Sequence, residues 1–134
     1  LGLMSFAISN TCLEPLHVES AARFAVRLAE NLLEHGLPAD TVLNVNVPDL
    51  PYDELTGVSV TRMGRRHYQD EIIHRVDPRG RAYYWIGGAQ PTHVTDTGTD
   101  FEAIEHNRVS VTPLHRDMTN HGVLAELARK GLAL

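Results

Sequence analysis

VLNVNV, Val42–Val47, alternates without a break: Leu43, Val45 and Val47 fall on one face of an extended chain, Asn44 and Asn46 on the other. Pro48 closes this strand. Working backward, Glu19–His35 carries Ala21, Phe24, Ala25, Leu28 and Leu32 at spacings of three and four, the single apolar stripe of a surface helix. Gly36 stands where a cap with positive φ would end that helix, and Pro38 forbids its continuation. Ahead of the break at Glu14-Pro15, LMSFAIS (Leu3–Ser9) is apolar enough for a strand buried on both faces. Strand, helix, strand is the unit of a parallel α/β sheet with a right-handed crossover. Two strands and one helix do not complete such a sheet, which needs more strands and helical cover on both faces. The chain opens on Leu1 in the middle of an apolar run, so it is expected to be cut from something longer, with the remaining strands outside it.

Composition narrows the class. The chain has 134 residues, 43% hydrophobic and 22% charged, which fits one globular domain. A net charge of −5 gives no electrostatic footprint for nucleic acid. Arg62, Arg65 and Arg66 form a local positive spot, read either as a solvated strand end or as a phosphate contact. Cys12 is the single cysteine, so no internal disulfide forms and nothing points to an oxidising compartment. No apolar run is long enough to span a bilayer and no signal pattern opens the chain, which makes the cytoplasm the default location.

Forward from Pro48, Val58–Arg62 reads as a short strand. Glu71–Val76 and Arg81–Ile86 then flank Asp77-Pro78-Arg79-Gly80. These residues suit a type I turn, with Gly80 free to take the left-handed bulge position of a hairpin. An isolated hairpin is marginal in water. Ile72, Val76, Tyr83 and Trp85 therefore ask for a partner surface, on another chain or on the hairpin's own domain. Thr99–His106 reads as a short helix with Thr99 as N-cap and Glu102 at capping-box spacing, ended by Asn107. Arg108–Leu114 is a strand, and Gly122–Leu132 carries Leu124, Leu127 and Ala128 at helical spacing.

The candidate chemistry is sparse. Asp117 and His121 lie four apart in HRDMTNH, with His115 two residues before. A carboxylate orienting an imidazole suits general acid–base work, and His–Asp–His could equally ligate a metal. A capping Asp at a helix start accounts for Asp117 without either. Ser9, Asn10 and Cys12 follow the first strand at its carboxyl end, where open α/β sheets bind ligands. The chain has no glycine-rich phosphate loop, serine elbow, HExxH motif or adjacent Asp-Asp pair. The residues alone lead to an α/β fragment with an extended hairpin that assembles into an oligomer.

GTDFEAIEHNRVSVTPLHRDMT (Gly98–Thr119) resembles the C-terminal signature of the SurE family, the stationary-phase survival proteins. LNVNVP (Leu43–Pro48), TRMGRRHY (Thr61–Tyr68) and DPRGRAYYWIGG (Asp77–Gly88) fall in the family's order, and LGLMSFAIS is similar to the strand after its central helix. Asn107 departs from a usual Gly, and Asn is the next best left-handed residue. The resemblance implies the C-terminal part of a Rossmann-type three-layer α/β fold with a protruding β-hairpin and a swapped C-terminal segment. Residues 1–62 would belong to the α/β core, 63–92 to the hairpin, and 93–134 to a return segment and C-terminal helix. It further implies a metal-dependent 5′-nucleotidase acting on nucleoside monophosphates, a dimer or tetramer built through the hairpin and C-terminal segment. The family's Mg²⁺ or Mn²⁺ is held by an Asp pair, a Ser and an Asn expected upstream of Leu1. This chain is therefore expected to bind no metal and to lack turnover alone. The alternative is a non-catalytic oligomerisation or interaction module. No catalytic residue is assigned; Asp117, His121, Ser9 and Asn10 are the candidates for assembly or for a place beside an active site.

Overall fold

The computed structural model describes residues 3–67, 70–88, 92–93, 96–115 and 117–131. In chain order the elements are β1 (Ser5–Asn10), α1 (Val18–His35), β2 (Thr41–Val47), a 3₁₀ turn (Tyr52–Glu54), β3 (Gly57–Val60), β4 (Arg66–His67), β5 (Asp70–Val76), β6 (Ala82–Gly88), β7 (Thr92–His93), α2 (Asp100–Glu105), β8 (Arg108–His115) and α3 (His121–Arg129). Tyr68 and Leu132, the expected ends of one motif and of the last helix, lie outside the described residues.

β1 and β2 run parallel, with Ser5 opposite Val42 and Asn10 opposite Val47, as the strand–helix–strand reading requires. The expectation that the further strands would all come from outside the chain is corrected. β8 pairs antiparallel with β2 and β3 pairs parallel with β8, giving a four-stranded mixed sheet in the order β1-β2-β8-β3. β3 and β8, far apart in sequence, are thus joined on the side of β2 away from β1.

Alternation sorts this sheet into two unlike faces. Leu43, Val45 and Val47 share one face with Val109 and Val111, and α1 lays Ala21, Phe24, Leu28 and Leu32 against them. Val45 and Val47 are completely buried, each worth about 1.5–3 kcal/mol in burial. Gly36 ends α1 with φ +78°, and its N–H donates to the Leu32 carbonyl at 2.9 Å. The other face is polar. Register sets Asn44 beside Thr112 and Asn46 beside Ser110. Asn46 Nδ2 donates to Ser110 Oγ at 3.3 Å, and the buried Thr61 and Thr112 hydroxyls share a bond of 2.7 Å. Every buried side-chain polar atom among the described residues has a partner, as a close-packed interior demands.

α2 packs against β8 on this polar face. Thr99 caps it, accepting from the Glu102 N–H at 3.3 Å. The reciprocal bond of the expected capping box falls one residue early: Glu102 Oε2 accepts from the Gly98 N–H at 2.6 Å, because Thr99 N–H is taken by the Asp96 carbonyl. Asn107 ends the turn in the left-handed region, φ 57°, as its residue type permits.

β5 and β6 form the hairpin. Gly80 N–H donates to the Asp77 carbonyl at 3.0 Å, and Gly80 takes φ +80°. Asp77 Oδ1 accepts from the Arg79 and Arg81 N–H groups, both at 2.8 Å. Ile72, Val76, Tyr83 and Trp85 do not share a face. Ile72 pairs with Ile86 and Val76 with Ala82, whereas Trp85 pairs with Ile73 and Tyr83 with Arg75 on the opposite side. Both sides of the ribbon are exposed within the chain, with Ile72 at 67% and Trp85 at 63%. α3 buries no residue either. No described helix is long and apolar enough to cross a membrane.

Candidate functional site

The polar face of the sheet, α2 and the Met63–Gly64 segment enclose an open cleft of about 720 Å³. Ser9, Asn10 and Thr11 line it from the end of β1, Asn44 and Asn46 from β2, and Asp100, Phe101, Ile104 and Glu105 from α2. Ser9 and Asn10, expected to follow the first strand, are instead the last two residues of β1, and both lie on the wall of this cavity. Cys12 does not line it: its thiol donates to the Glu14 carbonyl on the exposed loop.

The Gly64 wall depends on a close approach. A Cβ at Gly64 would stand 2.2 Å from Phe101 Cδ2, so only glycine fits under that ring. Gly64 N–H donates to Asp100 Oδ1 at 2.7 Å, and the same oxygen accepts from the Phe101 N–H at 3.0 Å.

The residue that organises the rim, Asp49, carries no motif. Its Oδ1 accepts from Asn10 Nδ2 at 2.9 Å and from the His17 N–H at 2.8 Å, and its Oδ2 accepts from the Leu16 N–H at 3.0 Å. These donors, led by the Leu16 N–H, hold the Asp49 carboxyl below the ordinary carboxylate range. The one sequence signal was an acidic residue directly after the strand-closing Pro48.

Asp117 and His121 come together. His121 Nε2 meets Asp117 Oδ2 at 2.5 Å, and the Thr119 N–H donates to Asp117 Oδ1 at 2.8 Å. The Thr119 hydroxyl, then His121 and the Thr119 N–H, pull the Asp117 pKa down to about 2. Both residues are exposed, away from the cleft lining. Two readings of this segment are corrected. Asp117 is not the helix cap, because α3 starts at His121, four residues later, and Asn120 occupies the cap position. His115 does not join the other two as a ligand set: its Nδ1 faces the Asp117 carbonyl at 3.2 Å.

Of the arginine spot, Arg62 bridges to Asp96 at 3.5 Å and donates to the Thr97 carbonyl. Arg65 is exposed, and the Arg66 side chain lies outside the described residues. Among the described residues no three His, Cys, Asp or Glu side chains converge on a common point. The carboxylate Asp100 in the cleft already serves two N–H donors. What the cleft supplies is hydroxyl and amide groups with the Asp100 and Glu105 carboxylates beside one aromatic ring.

The family pattern described as Survival protein SurE matches residues 1–70 of the 134. The chain is 55% identical over 108 residues to a protein of Geobacter sulfurreducens named 5′-nucleotidase SurE, a match covering 81% of this chain and 41% of that protein. It is 50% identical over 127 residues to the Methylococcus capsulatus protein of the same name, covering 95% of this chain and 51% of the other. The crystal structure of the SurE protein from Aquifex aeolicus superposes with a TM-score of 0.77 at 36% identity, covering 96% of this chain and 52% of that one. The chain thus spans about half the length of the relatives it matches. Its mixed α/β sheet is the Rossmann-like sheet of that solved structure, and with the pattern matched over more than half of its residues, the chain belongs to the SurE family.

Proposed function

We propose that this chain is the scaffold and assembly part of a metal-dependent 5′-nucleotidase acting on nucleoside monophosphates in the cytoplasm. It does not turn over substrate alone. The observation that carries this reading is identity of 50–55% to proteins named 5′-nucleotidase SurE, of which the chain matches only 41–51%. Mg²⁺ or Mn²⁺ would polarise the phosphoryl oxygens and position water from ligands contributed by the rest of the protein. The hairpin and the C-terminal segment, whose apolar side chains are exposed here, make the homo-oligomer contacts. The same exposure favours the second reading, a non-catalytic interaction module.

The test is hydrolysis of nucleoside 5′-monophosphates and a chromogenic phosphomonoester with Mg²⁺ or Mn²⁺. The 134-residue chain should match a denatured control, and a longer protein carrying it as the C-terminal half should show metal-stimulated turnover. Metal-stimulated turnover by the short chain overturns the scaffold assignment; none by the longer protein favours the interaction module.

A further inference from the structure

We infer that Asp49 is a positioning residue, which acts through Asn10 to fix the Asn10–Thr11 rim of the cleft in its binding geometry. This rests on the nucleotidase reading, with the cleft taken as part of the substrate site of the longer protein.

The argument begins with what holds each loop. Asp49 follows β2, and its own neighbourhood is tied down independently. Pro48 is buried, and the Leu50 carbonyl accepts from the hydroxyl of Ser20, which is fully buried in the first turn of α1. The segment after β1 has no such anchorage. Residues 11–16 are all exposed. Their ties to the body are the Thr11 N–H on the Val47 carbonyl at 3.0 Å and the bonds gathered by Asp49. One carboxylate thus clamps both ends of the loop: Asn10 where it leaves the strand, Leu16 and His17 where it enters the helix.

Asn10 carries the effect into the cleft. Its Nδ2 is fixed by Asp49 while its Oδ1 accepts from the Cys12 N–H at 2.9 Å, which folds the chain back at Thr11. Asn10, with Ser9 and Thr11 on either side, lines the cavity, and Asp49 does not. An ionised carboxylate accepting charge-assisted bonds is stronger than a neutral amide in the same place. Asn at this position would also turn an NH₂ group toward N–H donors. Catalytic and binding groups lose efficiency when their support is loosened by an ångström, so the clamp should be felt in substrate binding.

In the longer protein, Asp49→Asn should raise KM for a nucleoside monophosphate about tenfold with kcat less affected, as expected for a displaced rim. Asn10→Ala should raise KM similarly, and the double variant should be no worse than either single one, because both remove the same link. Amide hydrogen exchange read on the same Asp49→Asn protein should quicken at Leu16 and His17 and stay unchanged at Val45 and Val111. Additive effects in the double variant, or an unchanged KM with faster exchange, overturn the positioning role and leave a structural clamp. If Asp49→Asn does not fold, Asn10→Ala alone decides, and an unchanged KM overturns the inference. If the parent shows no turnover, the nucleotidase reading has failed, and unchanged exchange at Leu16 and His17 overturns the clamp as well.

Discussion

β2 and the β5–β6 hairpin are both built from seven-residue strands rich in apolar residues, yet they end in opposite environments. In β2, Leu43, Val45 and Val47 are buried under α1. In the hairpin, Ile72, Val76, Tyr84, Trp85 and Ile86 are all more than half exposed. The strand pattern differs less than the surroundings do. β2 has β1 and β8 on its flanks and a helix over its apolar face, whereas β5 and β6 have only each other. A strand's sequence decides which side could be buried; a second layer in the same chain decides whether it is. The sheet therefore buries one face under α1, and the ribbon exposes apolar side chains on both faces.

That difference should appear directly in stability. Val45→Ala removes two methyl groups at a site with no solvent access, and is expected to cost about 2–3 kcal/mol in chemical denaturation. Trp85→Ala, a far larger truncation, should cost under about 0.5 kcal/mol in the isolated chain, as surface substitutions do. Comparable losses for the two would mean that the ribbon already has a packing partner within the chain.

The Asp117–His121 pair should give a smaller, pH-dependent effect. Folding lowers the Asp117 pKa from 3.8 to about 2, so the stabilisation is complete above pH 4 and disappears as the pH falls toward 2. Asp117→Asn should flatten that part of an acid-denaturation curve. In the longer protein, His121→Ala should shift melting temperature or oligomer distribution and leave turnover, since neither side chain lines the cleft. Loss of all turnover with unchanged melting and mass would instead place the pair in the chemistry.

What could be read in the sequence was local. The apolar stripe of α1, the alternation of β2, the Asp77–Gly80 turn, the Thr99 cap and the left-handed Asn107 each follow from residues within a few positions of one another. Ser9 and Asn10 could be placed at a strand end from the sequence, and that end borders the cleft. Asp49 was not, since its donors lie 32 to 39 positions away and single residues give no periodic signal. Thr61 and Thr112, 51 positions apart, escaped for the same reason. The tight fit of Gly64 under Phe101 depends on how the loop and α2 meet in space. The direction of β8 was equally hidden, because an alternating strand pairs in either sense.

The proposal that the ribbon is covered by another chain while the α/β body folds without it is tested most directly by removing the ribbon. In the longer protein, residues Asp70–Tyr84 are replaced by a short Gly-Ser linker, and the mass is measured by light scattering coupled to size exclusion. The account predicts a lower oligomeric state with cooperative unfolding of the α/β body retained. A deletion variant that keeps the parent mass and cooperativity would contradict it, and would place the hairpin on its own domain.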